Sequence, residues 1–504
     1  MKIIIQAGGK GTRLEGLTRN KPKCLVPVQN RPLLFHAFEQ FPQDEFIVIA
    51  DYKADVLEKY LQTFAKGKYN YRLIHTHYPG TIGGLQEALS YIGDKEPFLL
   101  MWCDILLPPP NTLPWPKPDA NYVGIAQDFE CRWSFKDGQF IHAPSAKDGV
   151  AGVFLFQDKT CLHDLPSEGA FVPWLQKQQI PFRTFGLHGT KEIGTLLAYT
   201  ENTQSKYRCR PFNDIKFEPN NLVIKTPRTA QGEAIAQKEQ HWYQKVSSLH
   251  YPFIPDIQGY DPLVMKKVDG RNIFEYDFLT YTQKEIILTK LVEMLKELHA
   301  LSPAIPAVKE DVQATYLTKT FARLDSVKDL IPFANDEFIK INGHYYHNPF
   351  FEKQAMETLT AQYMPQQFNL IHGDCTFSNL MFDTFRMQPV MIDPRGYFGN
   401  TLLYGDADYD WAKLYYSLAG NYDQFNLHKF TLDIRENNVE ITIKSNGWED
   451  MQEAFFEQIA PASRRKIKFL HALIWLSLTS YAWEDYDSIC GAFYNGTLLL
   501  ENAL

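Results

Sequence analysis

Two groups of residues in this chain are placed to do chemistry. The first follows the apolar run Lys2–Ile5, where QAGGKGTRL sets Gly8, Gly9 and Gly11 close together with Thr12 and Arg13 directly after. A glycine-rich turn after a strand lets several backbone N–H groups approach phosphate oxygens at once. A little further on, NKPKCLVPV supplies Lys21 and Lys23 around the rigid Pro22. Arg13 and Lys23 are therefore expected to converge on a triphosphate and on an incoming phosphate. Neither familiar phosphate loop fits: GxxxxGK[ST] does not occur here, and the dinucleotide fingerprint would need its third glycine at Leu14. The second group is LIHGDCTFSNLMFD, with Asp374 and Asn379, followed by Asp393 and Arg395 in MIDPRG.

Hydrophobic patterning indicates the elements that must hold these groups. Across residues 1–205, short apolar runs (Lys2–Ile5, Phe46–Ala50, Phe98–Trp102, Val150–Phe156) alternate with helical stretches such as Pro32–Gln40 and Ala54–Ala65. The alternation predicts an α/β domain with a mostly parallel sheet, helices on both faces, and ligands at the carboxyl ends of the strands. Pro108–Pro118 reads as an exposed loop and the polar stretch 201–213 as a linker. Beyond it, a hairpin-like pair flanks Pro219-Asn220-Asn221, a helix covers about 231–247, and 280–504 is mainly helical. Two domains follow, 1–205 and 206–504, the second with a small lobe to about 268 and a helical lobe after it. No internal repeat accounts for the length.

Composition narrows the classes. With 504 residues, 51 Lys+Arg and 59 Asp+Glu, the chain is long enough for two cores and carries no basic field for nucleic acid. The cysteines, Cys24, Cys103, Cys131, Cys161, Cys209, Cys375 and Cys490, are scattered and odd in number. That argues against a disulfide framework or a Cys-rich zinc site and fits a reducing cytoplasm. The longest apolar stretch, Phe469–Trp483, is interrupted by His471, Ser477, Thr479 and Ser480, so it reads as a buried helix rather than a membrane insertion.

Taken together, GGKGTR and KPKCLVPV resemble the nucleotidyltransferases that make nucleotide-sugars or activated phosphocholine, over about residues 1–200. The resemblance implies a Rossmann-like, GT-A-like fold in which Gly8, Gly9, Gly11 and Thr12 bind an NTP. It places Gly80, Thr81 and Gly83 of HYPGTIGGLQEAL toward base and substrate, and Gly152 of AGVFLF beside a sugar site. Asp104, closing LLMWCDI, and Glu192 of KEIGTLL would hold Mg²⁺, with Arg13 and Lys23 catalytic. In such chemistry the nucleophile is already an anionic phosphate. Metal and cations serve to stabilise charge on the α-phosphate and the departing pyrophosphate. Two departures stand out: Trp102-Cys103 precedes Asp104 where the family has a small residue, and Glu192 replaces the usual Asp.

His372-Gly373-Asp374 resembles the aminoglycoside phosphotransferase and choline kinase family, which implies an α+β, two-lobed, protein-kinase-like fold. Asp374 would then orient and deprotonate an acceptor hydroxyl, while Asn379 and Asp393 hold Mg²⁺ against the phosphates of ATP. Lys225 in NNLVIKTP would meet those phosphates and pair with Glu239. Backbone from Met265 to Val268 would meet adenine, and Asp410 in DYDWAKL would be structural. Arg395 would either reach substrate or form a structural ion pair. A glycine-rich flap is missing, since KFEPNN occupies that turn, and no Ala-Pro-Glu segment suggests a protein substrate. AWEDYD, containing Trp483, Glu484, Asp485, Tyr486 and Asp487, mixes acids with aromatics that could hold an amine or simply end a helix.

The expectation is a bifunctional enzyme acting on small molecules. One domain phosphorylates a hydroxyl, favoured as a sugar C1, with ATP. The other transfers a nucleotidyl group to that phosphate, giving an NDP-sugar-type precursor for a bacterial surface polysaccharide. The alternatives are a choline- or ethanolamine-type kinase with a cytidylyltransferase, and a kinase regulated by a degenerate nucleotide-binding domain.

Overall fold

The computed structural model describes residues 1–109, 112, 115–203, 213–461 and 463–504. The linker expected at 201–213 falls almost wholly outside the described residues, as does Cys209. The chain divides into two units, Met1–Lys206 with Trp483–Asp487, and Tyr207–Ala482 with Ser488–Leu504.

In the first unit, strand Lys2–Gln6 lies between Glu45–Ala50 and Phe98–Trp102, parallel to both, and Asn70–His75 extends the sheet in parallel beyond Glu45–Ala50. Ile3–Ile5 and Phe46–Ile49 are fully buried, as strands covered on both faces must be. Helices Leu33–Gln40, Ala54–Phe64 and Leu85–Ser90 make the crossovers. Strand Gly149–Phe156 joins Phe98–Trp102 antiparallel, so the sheet is mixed beyond the parallel part that the alternation predicts. Its Phe154 and Phe156 are completely buried beside Leu100 and Ile4, each contributing about 2–3 kcal/mol by burial. Gln6 and Trp102 are register partners, so the loops after both strands open at one end of the sheet.

Trp483–Asp487 belongs to this unit. The Trp483 ring packs 5.6 Å from Phe35 and 6.1 Å from Phe64, and the Tyr60 hydroxyl donates to the Trp483 carbonyl.

The second unit begins with an antiparallel sheet in the order Asn213–Glu218, Leu222–Pro227, Leu263–Lys266, Ile257–Tyr260. Helix Ala230–Ser248 follows, its first turn capped by Thr229 Oγ1, which accepts from Gly232 N. Helix Tyr281–Ala300 starts at a capping box of Thr280 and Gln283 and buries Leu288, Leu291, Leu295 and Leu298. A long helical segment then runs from Lys309–Gln313 through a π-helical turn, Ala314–Thr318, into Lys319–Val327.

The helical lobe also holds a sheet that the sequence reading lacks, built from Phe338–Ile341, His344–His347, Phe430–Ile434 and Val439–Ile443. Its strands are short and half polar. Only Asn342-Gly343, both at positive φ, marks the hairpin. Among the described residues, no helix is long and apolar enough to cross a membrane.

Candidate functional site

The first unit gathers its expected residues where the strand ends open. Gly8, Gly9, Gly11 and Thr12 lie on the loop leaving Lys2–Gln6. Gly11 adopts φ +66°, and a Cβ there would meet Lys23 Cβ at 3.2 Å, so glycine lets the loop lie along the lysine stem. Lys23, buried in the turn Lys23–Leu25, carries its ammonium to an ion pair with Asp104. Arg13 Nη2 is 3.5 Å from Glu192 Oε1.

The two-stranded pair of Ile105–Leu106 with Lys191–Glu192 sets Glu192 opposite Ile105, and Ile193 N donates to Asp104 O at 2.9 Å. Burial, then the charge of Asp104, pushes the Glu192 carboxyl up; Lys23 and Arg13 pull it the other way. Two carboxylates close enough to repel, flanked by two cations, fit a hard divalent cation whose other ligands are phosphate oxygens and water. Among the described residues, no cluster of three or more His, Cys, Asp or Glu could hold a metal by itself. A cation here would therefore depend on substrate for the rest of its shell.

Gln6 Nε2 donates to Thr81 O at 2.7 Å, and Phe171 N donates to Thr81 Oγ1 at 2.8 Å, fixing the Gly80–Gly83 turn beside the same strand end. Gly152 stands at φ +78°, and a Cβ there would overlap the Trp102 ring, so this glycine is what admits the tryptophan. Cys103 is buried against Asp104, and burial with that charge pushes its thiol up to about 12, leaving it protonated. The cavity of about 840 Å³ lined by Gln127, Lys136, Asp148 and Arg183 contains none of these residues.

Lys21 has a different fate from Lys23. It is 1 % exposed, with Nζ 2.8 Å from Asp485 Oδ1 and 2.5 Å from Asp487 Oδ2; Asn20 Nδ2 adds a bond to Asp487 Oδ1 at 3.0 Å. Burial alone would lower the lysine, but the two carboxylates hold it well above its ordinary range. Asp485 and Asp487 of AWEDYD thus neutralise a lysine, whereas sequence left that stretch open between an amine site and a helix end.

In the second unit Lys225 stands on strand Leu222–Pro227. Its Nζ donates to Glu239 Oε2 at 2.8 Å and Oε1 at 3.0 Å, and to Asp393 Oδ1 at 2.7 Å. Burial works against its charge, yet Asp393 and then Glu239 hold it raised. Met265 is buried and pairs with Val223, and Val268 follows the end of that strand. Asp410, fully buried, accepts from His372 N at 2.9 Å, Gly373 N at 2.7 Å and His299 Nε2 at 3.1 Å, so the loop bearing Asp374 hangs from it. Burial keeps His372 neutral: Asp374 N donates to its Nδ1, and Nε2–H therefore donates to Ile392 O at 2.9 Å.

Asn379 Nδ2 donates to Asp374 Oδ2 at 3.0 Å, which leaves the amide oxygen of Asn379 as a hard donor alongside the exposed Asp393 carboxylate. That pair also suits Mg²⁺ shared with phosphates. Arg395 forms no carboxylate pair among the described residues. Its guanidinium lies 4.3 Å over the Tyr397 ring and donates to the Tyr409 hydroxyl at 3.4 Å.

Sequence reasoning missed the cations beside Asp374. Lys413 Nζ is 3.0 Å from Asp374 Oδ1, Lys319 of helix Lys319–Val327 feels the Asp374 charge, and Arg323 stands next to Lys319 on the same helix. Lys413 lies within the quoted DYDWAKL, where its place one turn after Asp410 was a usable signal. Lys319 and Arg323, four apart in the chain, belong to no motif that the sequence singles out.

The family model described as MobA-like NTP transferase domain matches residues 3–115, and that of the phosphotransferase enzyme family matches residues 218–430. A mannose-1-phosphate guanylyltransferase catalytic subunit beta of Dictyostelium discoideum is 32% identical over 112 residues, 21% of this chain and 31% of that protein. A UTP–glucose-1-phosphate uridylyltransferase, AglF, of Haloferax volcanii is 32% identical over 109 residues, 21% of this chain and 43% of that protein. HddC from Yersinia pseudotuberculosis, a solved structure, aligns with 40% of this chain and 98% of its own, at 21% identity and a TM-score of 0.35. The chain spans less than half the length of the two matched transferases. It joins a nucleotidyltransferase domain to a domain of the phosphotransferase family.

Proposed function

We propose that the chain catalyses two consecutive steps on one small molecule. The second unit transfers the γ-phosphoryl of ATP to a hydroxyl, and the first couples the resulting phosphate monoester to the α-phosphate of an NTP, releasing pyrophosphate. The observation that carries this reading is that each unit gathers its own paired cations and carboxylates for handling phosphates: Arg13, Lys23, Asp104 and Glu192 in one, Lys225, Glu239, Asp374, Asn379 and Asp393 in the other. The phosphate made by the second is the nucleophile the first requires.

In the kinase step, Asp374 meets the acceptor hydroxyl and takes its proton, while Lys225, oriented by Glu239, holds the nucleotide phosphates. In the nucleotidyl step Arg13 and Lys23 draw the two polyanions together. Asp104 with Glu192, and Asn379 with Asp393, would hold Mg²⁺, which would neutralise charge on the phosphate oxygens. Trp102 over Gly152 narrows the place where the sugar of the acceptor would lie. A sugar 1-phosphate is the favoured intermediate, consistent with the named substrates of the matched transferases. The amino-alcohol alternative loses its pocket because Asp485 and Asp487 are committed to Lys21. The product fits a precursor of a surface polysaccharide made in the cytoplasm.

The test is to incubate the full chain with ATP and each NTP against sugars and amino-alcohols, reading ADP and pyrophosphate separately. Asp374→Ala is expected to lower ADP formation by roughly 10²–10⁴-fold while transfer to a supplied sugar 1-phosphate continues. Asp104→Ala should do the reverse. Loss of both activities from either change, with the fold intact, would refute two independent sites.

A further inference from the structure

The kinase-type unit holds more positive charge beside Asp374 than phosphoryl transfer from ATP requires. Lys413, on helix Ala407–Leu418, reaches Asp374 Oδ1 at 3.0 Å. The Tyr409 ring lies amid three of the cations: Lys319 Nζ is 5.8 Å and Lys413 Nζ 5.9 Å from its centroid, and Arg395 Nη1 is 3.4 Å from its hydroxyl. Arg323, one turn beyond Lys319, donates to Ser477 O at 2.6 Å and lies 5.2 Å over Tyr481. Among the described residues, Lys413 alone of these four has a carboxylate within ion-pair distance. Burial, then the charges of Arg395, Arg323 and Lys413, press the Lys319 ammonium well below the lysine range; Asp374 alone is the carboxylate opposing them.

Lys319, Arg395 and Lys413 gather beside Asp374, with Arg323 next to Lys319, and such like charges repel one another and are costly to desolvate. Phenol faces and a carbonyl compensate only partly. An entering anion would remove the cost. The nucleotide phosphates already have Lys225 and the Asn379–Asp393 pair. Asn379 takes Oδ2 of Asp374 and Lys413 takes Oδ1, so the surplus charge approaches Asp374 by its other oxygen. The π-helical turn Ala314–Thr318 stands directly before Lys319, and such turns re-aim the residues that follow and recur at ligand sites.

We propose that the acceptor of the kinase step is itself an anion: a sugar or polyol already carrying a phosphate, held by Lys319, Arg323 and Arg395 while its free hydroxyl meets Asp374. This rests on the reading of the second unit as a small-molecule kinase. The hydroxyl oxygen forms a bond to the γ-phosphorus, the bond from that phosphorus to the bridging β-phosphate oxygen breaks, the hydroxyl proton passes to Asp374, and ADP departs with the bridging electron pair. A cationic acceptor such as choline would meet the like charges of this cluster.

The test compares glucose, glucose 6-phosphate, gluconate and choline as acceptors for the full chain with Mg²⁺ and ATP, reading ADP. Glucose 6-phosphate is expected to exceed glucose in kcat/KM by about 100-fold, with gluconate between them. Lys319→Met, and separately Arg323→Met, should raise KM for the phosphorylated acceptor about tenfold with KM for ATP unchanged. Thermal melts will identify any variant that has lost its fold, and the other variant then stands. Preference for glucose or choline would overturn the proposal, as would an equal rise in KM for ATP, which would assign the cations to the nucleotide. If no acceptor yields ADP, the kinase reading fails by itself. The anion site is then read by titrating inorganic phosphate calorimetrically into protein saturated with Mg²⁺ and a non-hydrolysable ATP analogue. Heat in the wild type that is lost in Lys319→Met and Arg323→Met would still support an anion site, and no heat in the wild type would overturn it.

Discussion

Lys21 and Lys319 present the same side chain in two opposite settings. Lys21 is fully enclosed and neutralised twice, by Asp485 and Asp487, and its charge is stabilised. Lys319 is partly buried, faces Arg323, Arg395 and Lys413, and burial with these like charges presses its ammonium below the usual lysine range. The chain can therefore build a complete clamp for a buried lysine, and beside Asp374 it does not. A satisfied lysine belongs to the architecture. An unsatisfied one, beside the proposed catalytic carboxylate of Asp374, keeps its electrostatic capacity for a molecule that arrives later.

The sharpest way to break this comparison is Lys21→Met, which leaves two acids enclosed without their cation. The first unit should lose about 3–5 kcal/mol, read as a lower denaturant midpoint of nucleotidyl transfer, with Asp485→Asn and Asp487→Asn in the same chain restoring part of it. An unchanged midpoint would mean that the clamp contributes nothing.

Asp423 gives a carboxylate counterpart. It is buried, has no cation within ion-pair distance among the described residues, and burial pushes its pKa up to about 6. The folded state then holds a proton that the unfolded chain releases near pH 4, so stability should fall as pH rises from about 4 to 6 and stay lower above that. Asp423→Asn should recover about 2 kcal/mol at pH 8 and nothing at pH 4, by denaturant melts at both values.

Lys319→Met should leave the melting midpoint unchanged or raise it in the absence of acceptor, the opposite sign to Lys21→Met, and a drop as large as that of Lys21→Met would erase the distinction. Smallest of all is the exposed Arg31–Glu39 pair, 2.6 Å apart. Arg31→Ala should cost less than about 1 kcal/mol in the same melts.

Much of this architecture was legible in the sequence because it is local. Lys2–Ile5, Phe46–Ala50 and Phe98–Trp102 are apolar runs of strand length, and they form adjacent strands of one sheet. The turn at Pro219-Asn220-Asn221 does join two paired strands. Asp374 and Asn379 stand close in the chain and bond to each other. What was not legible depends on long-range placement. Nothing in AWEDYD says that its acids meet Lys21, and nothing in KTFARL says that its helix sets Lys319 among Arg323, Arg395 and Lys413. The sheet with Phe338–Ile341 stayed hidden because its strands are too short and polar to show a period, leaving Asn342-Gly343 as the one readable sign.

The clamp on Lys21 also sets an order in time. Its carboxylate at Asp485 is 464 residues downstream, so during synthesis the N-terminal unit waits on the order of tens of seconds for the segment that neutralises its lysine. Through that interval Lys21 has to stay hydrated and the turn around Pro22 has to stay open. A chain halted before Trp483 would carry every nucleotidyl-site residue and still lack the counter-charges on which that turn closes. Completion of the first unit is thereby tied to translation of the chain through Asp487.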